Sequence, residues 1–561
     1  MKISLISMFP SILNYGLRSI SACLKQAGHD VSLFFLMKDF YKKYSETAMN
    51  DLVKLTKKSD LVGISMMTSF FDNAIQITQK LKNNYDFPIL WGGIHPTIRP
   101  EECLDYADMI CIGEGEETLV ELADKIQNKQ YYYDVKGMGF NDKGKIIVNG
   151  PRVLPGSKKA VIIKSLDQIP FQDYDYRNHF VLKDENIVKM DQEIMKQCGE
   201  YYMTQTTRGC PFGCTFCVNN TILAMYPHQK PIRKRSVDNI IMELKEVKRN
   251  LPFVNFILFD DDAFFLMFVD EIKELSKRYK EEIGLPLWIT GATPSTLTKE
   301  KLSPLVDAGL VGLRIGIQSA AEGAKKLYKR PHSNRQIENA ARMVNEYRDQ
   351  VNASYDIILD SPWDTDENLI ETLMFLSKLP TPFTFNIFSL VFFPETDLYK
   401  KAKKEGLIKD EANEYRKHYQ GCKNTYLNKL FFLMKDYASV GIGISPIIMF
   451  ILTHRMTRKL YLHKFLRNVI RSLLPFFRYI GQLTRPSSRL YKFGNIIKFG
   501  GGDKATYRVS APYDFSFGDE FHYKSWLSSK TPWLVRKFRK MKLTLFKTIY
   551  QFKGEDIIKK K

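Results

Sequence analysis

The chain has 561 residues, 44% hydrophobic and 26% charged, a composition that excludes disorder as the main state and a length that predicts about three or four domains. Its net charge of +21 is uneven: Lys and Arg outnumber Asp and Glu 35 to 11 over residues 400–561, against 48 to 51 over residues 1–399. A basic segment of this kind seeks phosphate, either on nucleic acid or on an anionic membrane surface.

The N-terminus, MKISLISMFP, reads as a first strand and has no cleavage-site pattern, so a cytoplasmic protein is expected. Strands are expected at Lys2–Ser7, Val31–Leu36, Asp60–Ser65, Pro88–Trp91 and Met109–Ile112, with helices over Gly16–Ala27, around Asp72–Asn83 and up to Ile126. This β-α alternation implies a parallel, doubly wound sheet, whose ligands sit beyond the carboxyl ends of the strands. Residues 131–197 read as a linker with short β pieces. Alternation resumes with strands at Tyr201–Thr206, Phe256–Phe259, Leu287–Thr290, Leu313–Ile317, Ser354–Leu359 and Thr384–Val391. Six β/α units without a clear seventh suggest a partial barrel. Residues 437–453 are uncharged for 17 positions, at the short limit for a membrane span and weakened by Pro446. A basic, aromatic-rich stretch follows to Tyr491. An interfacial membrane helix is the favoured reading, and a helical cap on the barrel is the alternative.

Eight cysteines are too few for a disulfide scaffold, and three of them crowd into Cys210-Pro211-Phe212-Gly213-Cys214-Thr215-Phe216-Cys217. Thiolates suit zinc or an iron–sulfur cluster. Three cysteines on one loop can hold three irons of a four-iron cluster and leave the fourth open. Zinc sites more often use two pairs of ligands.

This C-x3-C-x-aromatic-C loop after a first barrel strand resembles the radical S-adenosylmethionine (SAM) superfamily. The resemblance implies that Cys210, Cys214 and Cys217 hold a [4Fe–4S] cluster with Phe216 beside them. SAM would chelate the open iron, and its cleavage would yield a 5′-deoxyadenosyl radical. Phe259-Asp260-Asp261-Asp262 ends the second barrel strand, where the family places contacts to the SAM amine. Alone, that acidic run reads as helix-capping carboxylates on a solvated loop. In register with the cysteine loop, it points to Asp260 and Asp261 as site residues. Gln318 and Ser319 end the fourth strand, near the expected SAM ribose, and Asp356 lies in a fifth-strand motif near the adenine. Leu327-Tyr328-Lys329-Arg330 resembles a short motif ending in Arg.

Residues 1–130 resemble the cobalamin-binding domain of class B radical SAM enzymes. The matching pieces are Gly63-Ile64-Ser65, Trp91-Gly92-Gly93-Ile94-His95-Pro96 and Gly113-Glu114-Gly115-Glu116. Ser65, Gly92, Gly93, Gly113 and Glu114 are the expected cobalamin contacts. The chain lacks the Asp-x-His-x-x-Gly motif whose His ligates cobalt, so the lower face is left to water or another side chain. Gly-Glu-Gly-Glu is not a phosphate loop, since it lacks the Gly-Lys-Ser/Thr core.

The expected fold class is α/β. A Rossmann-like cobalamin-binding-type domain (1–130) and a linker (131–197) precede a partial (β/α)6 TIM-like radical SAM barrel (198–405) and a mostly helical, basic C-terminal region (406–561). Three functions stay open at this point. The first is cobalamin-dependent C-methylation of an unactivated carbon in a small-molecule, lipid-like or natural-product substrate. The second is radical cyclisation or oxidation without methyl transfer. The third is a nucleic-acid-binding iron–sulfur protein, which is disfavoured because Cys23, Cys103 and Cys111 are too dispersed for a second cluster. The expected partners are a reductase, flavodoxin or ferredoxin as electron donor, and peripheral membrane contact through residues 437–491.

Overall fold

A computed structural model describes residues 1–38, 42–152, 165–226, 230–439 and 441–459. Expectations for residues 460–561, including the basic stretch up to Tyr491, lie outside the described residues.

The first sheet is built on five short apolar strands: β1 (Lys2–Ser7), β2 (Asp30–Phe35), β3 (Leu61–Ser65), β4 (Ile89–Gly92) and β5 (Met109–Cys111). They pair in parallel in the order β5-β4-β3-β1-β2. Their side chains are buried on both faces, as a parallel sheet covered by helices requires. Ile3, Leu5 and Leu33 face the helices Tyr15–Gln26 and Glu116–Gln127, while Ile6, Phe34 and Trp91 face Glu46–Thr56 and Phe71–Lys82. Caps fix the helix starts: Asn14 accepts from the Leu17 N–H and Ser45 from the Ala48 N–H.

The segment read as a linker joins this sheet at both edges. Strands β6 (Met138–Asp142) and β7 (Lys145–Val148) extend it antiparallel beyond β5, while β8 (Phe180–Lys183) and β9 (Asn186–Lys189) extend it beyond β2. The physical reason is that a bare parallel edge leaves a row of unpaired backbone groups, which two short hairpins satisfy. Asp173 pins this region to the first domain. Its carboxylate accepts from Ser21 Oγ (2.6 Å) and pairs with Lys25 Nζ (2.7 Å) and His179 Nε2 (3.5 Å). Beside it the buried Arg18 guanidinium lies 3.9 Å from the Tyr174 ring centroid.

The second sheet carries the barrel. After β10 (Tyr201–Thr204), a small antiparallel ribbon pairs β11 (Thr207–Arg208) with β12 (Arg233–Lys234). Strands β13 (Phe256–Phe259), β14 (Leu287–Ala292), β15 (Leu310–Gln318), β16 (Asn352–Leu359) and β17 (Thr384–Ser389) then follow β10 in chain order, all parallel. Among the described residues β10 and β17 stay at opposite edges, so the barrel is open.

The uncharged run at 437–453 is not one helix. It is split between the end of Tyr426–Ser439 and a separate helix, Pro446–Thr453, capped by Ser445. Proline suits a first helical position and cannot continue a preceding helix. Among the described residues, no helix is long and apolar enough to cross a membrane.

Burial alone would raise the Asp173 carboxyl, but His179, Lys25 and Ser21 hold it well below the usual range. Burial lowers His179 despite that partner. Unfolding therefore lets His179 bind a proton more readily, and stability is lost as pH falls through the ordinary histidine range near 6.5. The depressed Asp173 adds a second loss below about pH 4. Melting temperature is expected to decline in those two windows. Asp173→Asn is expected to cost about 3 kcal/mol at pH 7 and to erase the lower window. A flat pH series with an unaltered variant would contradict a buried junction at Asp173.

Candidate functional site

The cysteine loop leaves β11 at Gly209, whose φ of 94° places it in the left-handed region. A Cβ there would sit 2.5 Å from the Pro231 carbonyl oxygen, so only glycine fits. Cys214 is buried and Cys210 and Cys217 are half-buried. Burial pushes the Cys210 thiol up to about 11 and the Cys217 thiol to about 12, with Asp262 adding to both. Among the described residues no three Cys, His, Asp or Glu side chains gather as for a single metal ion. The loop is anchored from the far side of the barrel. Thr215 Oγ1 donates to the Leu327 carbonyl (2.7 Å), and the Thr215 N–H donates to that of Tyr328 (3.3 Å). Phe216 packs edge-on against Tyr328 at 5.4 Å. Arg330 Nη1 lies 3.1 Å from Cys214 Sγ, and its Nη2 donates to the Gly316 carbonyl (2.8 Å). One guanidinium thus ties the central thiol to the end of β15.

The acidic run after β13 divides its labour. The Asp261 carboxylate is buried and accepts from the Thr206 N–H (3.0 Å), the Thr207 N–H, Thr206 Oγ1 (3.0 Å) and Thr207 Oγ1 (2.7 Å). Burial pushes it up to about 7, against those hydrogen bonds. All four donors lie just before the cysteines, so Asp261 holds the loop rather than presenting a carboxylate to a ligand. Asp260 Oδ1 accepts from Thr290 Oγ1 (3.2 Å). Asp262 accepts from the Asn219 side chain and the Gly209 N–H, nearest the cysteines.

At the end of β15 the expected pair also separates. Gln318 is buried with φ 64°, after a register shift against β16, and its Oε1 has no partner. A strained backbone with an unpaired carbonyl suits a ligand contact. Ser319 is engaged with Thr372 Oγ1 (3.0 Å) and with the Ala321 N–H (3.2 Å). Asp356 accepts from Arg314 Nε (2.7 Å) and from Asn386 Nδ2 (2.9 Å), bridging β15, β16 and β17. Its carboxylate is held inside the barrel rather than left open.

The glycine-bearing ends of the first sheet meet this loop. Ser65 and Gly92 lie side by side at the ends of β3 and β4. Gly93, at φ 102°, passes so close to Met66 that a Cβ would sit 2.5 Å from its carbonyl oxygen. A Cβ on Gly113 would overlap the hydroxyl of Tyr226, which follows the helix Val218–Met225 of the cysteine loop. Gly113 is therefore covered by the barrel domain. Glu114 is spoken for as well: it pairs with Arg233 and with Arg208 (3.5 Å), while Arg208 also pairs with Glu116 (2.7 Å). Burial would raise Glu114, but Arg208 and Arg233 bring it below its ordinary value. Arg208, Arg233 and Tyr226 are partners that sequence spacing does not reveal, because they meet across domains.

Residues 2–123 match the B12 binding domain and residues 204–376 match the Radical SAM superfamily. The chain belongs to the cobalamin-dependent, class B radical SAM enzymes. It is 27% identical over 343 residues to an uncharacterized methyltransferase of Pyrococcus horikoshii, covering 60% of this chain and 68% of the relative. It is 24% identical over 407 residues to the bacteriochlorophyllide d C-8(2)-methyltransferase of Chlorobaculum tepidum, covering 70% and 80%. With the anaerobic magnesium-protoporphyrin IX monomethyl ester cyclase of Rubrivivax gelatinosus it shares 26% identity, over 56% of this chain and 54% of the relative. Among solved structures, the fold resembles OxsB with aqua-cobalamin and SAM bound (TM-score 0.59, 16% identity, 91% of this chain and 82% of that one). It also resembles TsrM from Kitasatospora setae (TM-score 0.58, 17% identity, 72% and 75%).

The enzyme's cofactors are a [4Fe–4S] cluster, SAM and cobalamin. The residues present fit them. Three thiols lie on one loop, the central one, Cys214, beside the Arg330 guanidinium. Gln318 turns an unpaired carbonyl oxygen at the end of β15. Ser65, Gly92 and Gly93 keep the ends of β3 and β4 free of large side chains. Replacing Asp261 by Asn turns an amide N–H toward donors that need an acceptor, at a cost of about 3 kcal/mol. Asp261→Asn is expected to lower iron bound per chain at least severalfold while Asp260→Asn does not. Equal iron in both variants would contradict the anchoring role.

Proposed function

We propose that this class B enzyme transfers a methyl group to an unactivated carbon of a lipid-like or natural-product substrate in the cytoplasm. The observation that supports this reading most is the shared interface. Arg208 and Arg233 reach Glu114 and Glu116, and Tyr226 covers Gly113, so the cysteine loop lies against the carboxyl ends of the first sheet. Relatives that carry methyltransferase names point the same way.

In this reading Cys210, Cys214 and Cys217 hold the cluster, with Phe216 and Tyr328 walling it. Asp260 faces the SAM amine, Gln318 the ribose, and Asp356 borders the adenine. Ser65, Gly92 and Gly93 form the cobalamin floor, Gly113 marks its rim, and Asp261, Ser319 and Glu114 are positioning residues. When bound, the three cofactors supply a carbon-centred radical and a transferable methyl group. The chain's own part is to fix their spacing, exclude water and admit an electron from a flavodoxin, ferredoxin or dedicated reductase. Likeness to a ring-forming cyclase favours a second reading, radical ring closure without methyl transfer.

Turnover with SAM bearing a deuterated methyl group separates the two. A substrate that gains the labelled methyl, with 5′-deoxyadenosine and S-adenosylhomocysteine formed together, is the expected result. An unlabelled, oxidised or cyclised product would overturn methyl transfer. Cys210→Ala, Cys214→Ala and Cys217→Ala are each expected to abolish 5′-deoxyadenosine formation. Gln318→Ala is expected to raise KM for SAM about tenfold, the loss of one hydrogen bond, with iron content unchanged.

A further inference from the structure

We propose that the helix Pro446–Thr453 docks the enzyme on an anionic lipid surface. The helix carries no charge, and its two faces differ in role. Met449 and Leu452 are 0% and 5% exposed and pack inward, with the helix lying on Asp366–Leu376. Ile447, Ile448, Phe450 and Ile451 point the other way, at 74%, 52%, 59% and 53% exposed. Their spacing places them on one side of the helix, in a single stripe. Met456, in the next short helix, is 64% exposed.

Other large apolar side chains at the surface, such as Tyr131, Met242 and Phe268, stand far apart in sequence on separate elements. Scattered residues of that kind need no explanation, whereas a contiguous apolar stripe marks an interaction surface.

Charge decides the partner. From residue 437 to residue 502 the chain has eleven Lys and Arg and no Asp or Glu. His454 and Arg455, which follow the stripe directly, are exposed. An apolar stripe beside cations matches a lipid interface, where side chains enter the acyl boundary and cations meet anionic headgroups. A nucleic acid would use the cations and leave four apolar side chains in water. At eight residues, the helix rises about 12 Å, too short to span a bilayer, so it lies on the surface. The proposal is independent of which reaction the enzyme performs, since it rests on no catalytic residue.

The test is flotation of the full-length, iron-loaded enzyme with phosphatidylcholine vesicles, with and without phosphatidylglycerol. Flotation with the anionic vesicles is expected, and the double variant Ile447→Glu/Phe450→Glu is expected to reduce the bound fraction about tenfold or more. Met242→Glu, an exposed apolar position elsewhere, should float as the parent does. Phe450→Trp gives a second readout. The emission that this variant gains over the parent should be quenched by brominated acyl chains if the position enters the bilayer. Three results would overturn the proposal: a parent enzyme that stays with the soluble fraction, a double variant that floats undiminished, or added Phe450→Trp emission that is indifferent to brominated lipid. A parent dimer that the double variant dissociates would instead assign the stripe to a second copy of the chain.

Discussion

The site depends on one ionic junction, in which Arg208 and Arg233 from the ribbon before and after the cysteine loop meet Glu114 and Glu116 from the end of the first sheet. Buried ion pairs add little net stability, because desolvation offsets most of their attraction. Their value here is geometric. Arginine's planar fork engages carboxylates in a fixed orientation, so the loop has one register against the domain that binds cobalamin. A slip of either strand would leave buried charges uncompensated.

The same loop is gripped from three other directions. Asp261 takes the N–H and hydroxyl groups of Thr206 and Thr207. Arg330 joins Cys214 to β15, and Thr215 is hung on the residues around Tyr328. The grips come from two strand ends, that of β13 through Asp261 and that of β15 through Arg330 and the residues around Tyr328. Chemistry that generates a radical benefits from such fixing, since the cofactors do the bond-breaking and the protein must hold distances. Gln318 is the exception, buried with an unpaired oxygen on strained backbone, as expected where a ligand rather than the protein completes the contact.

Much of this frame is legible in the sequence. Strands β1 to β5 and β13 can be placed within a residue or two because buried parallel strands are short apolar runs bounded by turn residues. The cysteine spacing is legible because soft ligands at that spacing have few other uses. Other features are hidden for physical reasons. The hairpins at β6–β9 carry mixed polarity, as edge strands do, and so resemble a linker. Asp261, Ser319 and Glu114 share the chemistry of ligand contacts, but their partners lie far off in sequence; Thr206 and Thr207, for instance, precede Asp261 by more than fifty residues. Apolarity over 437–453 suggests one helix, although Pro446 already marks a break. Tyr226 over Gly113 depends on domain docking, which no local pattern encodes.

In the proposed arrangement one interface serves a cluster and a corrin together. The most direct measurement is an iron, sulfide and cobalt assay with an optical spectrum on full-length enzyme purified anaerobically with iron and cobalamin supplied. About four irons and one cobalt per chain are expected, with both contents falling together when Arg208 is replaced by Ala. Four irons with no cobalt, or cobalt retained at full content in the Arg208→Ala enzyme after its iron is lost, would contradict that arrangement.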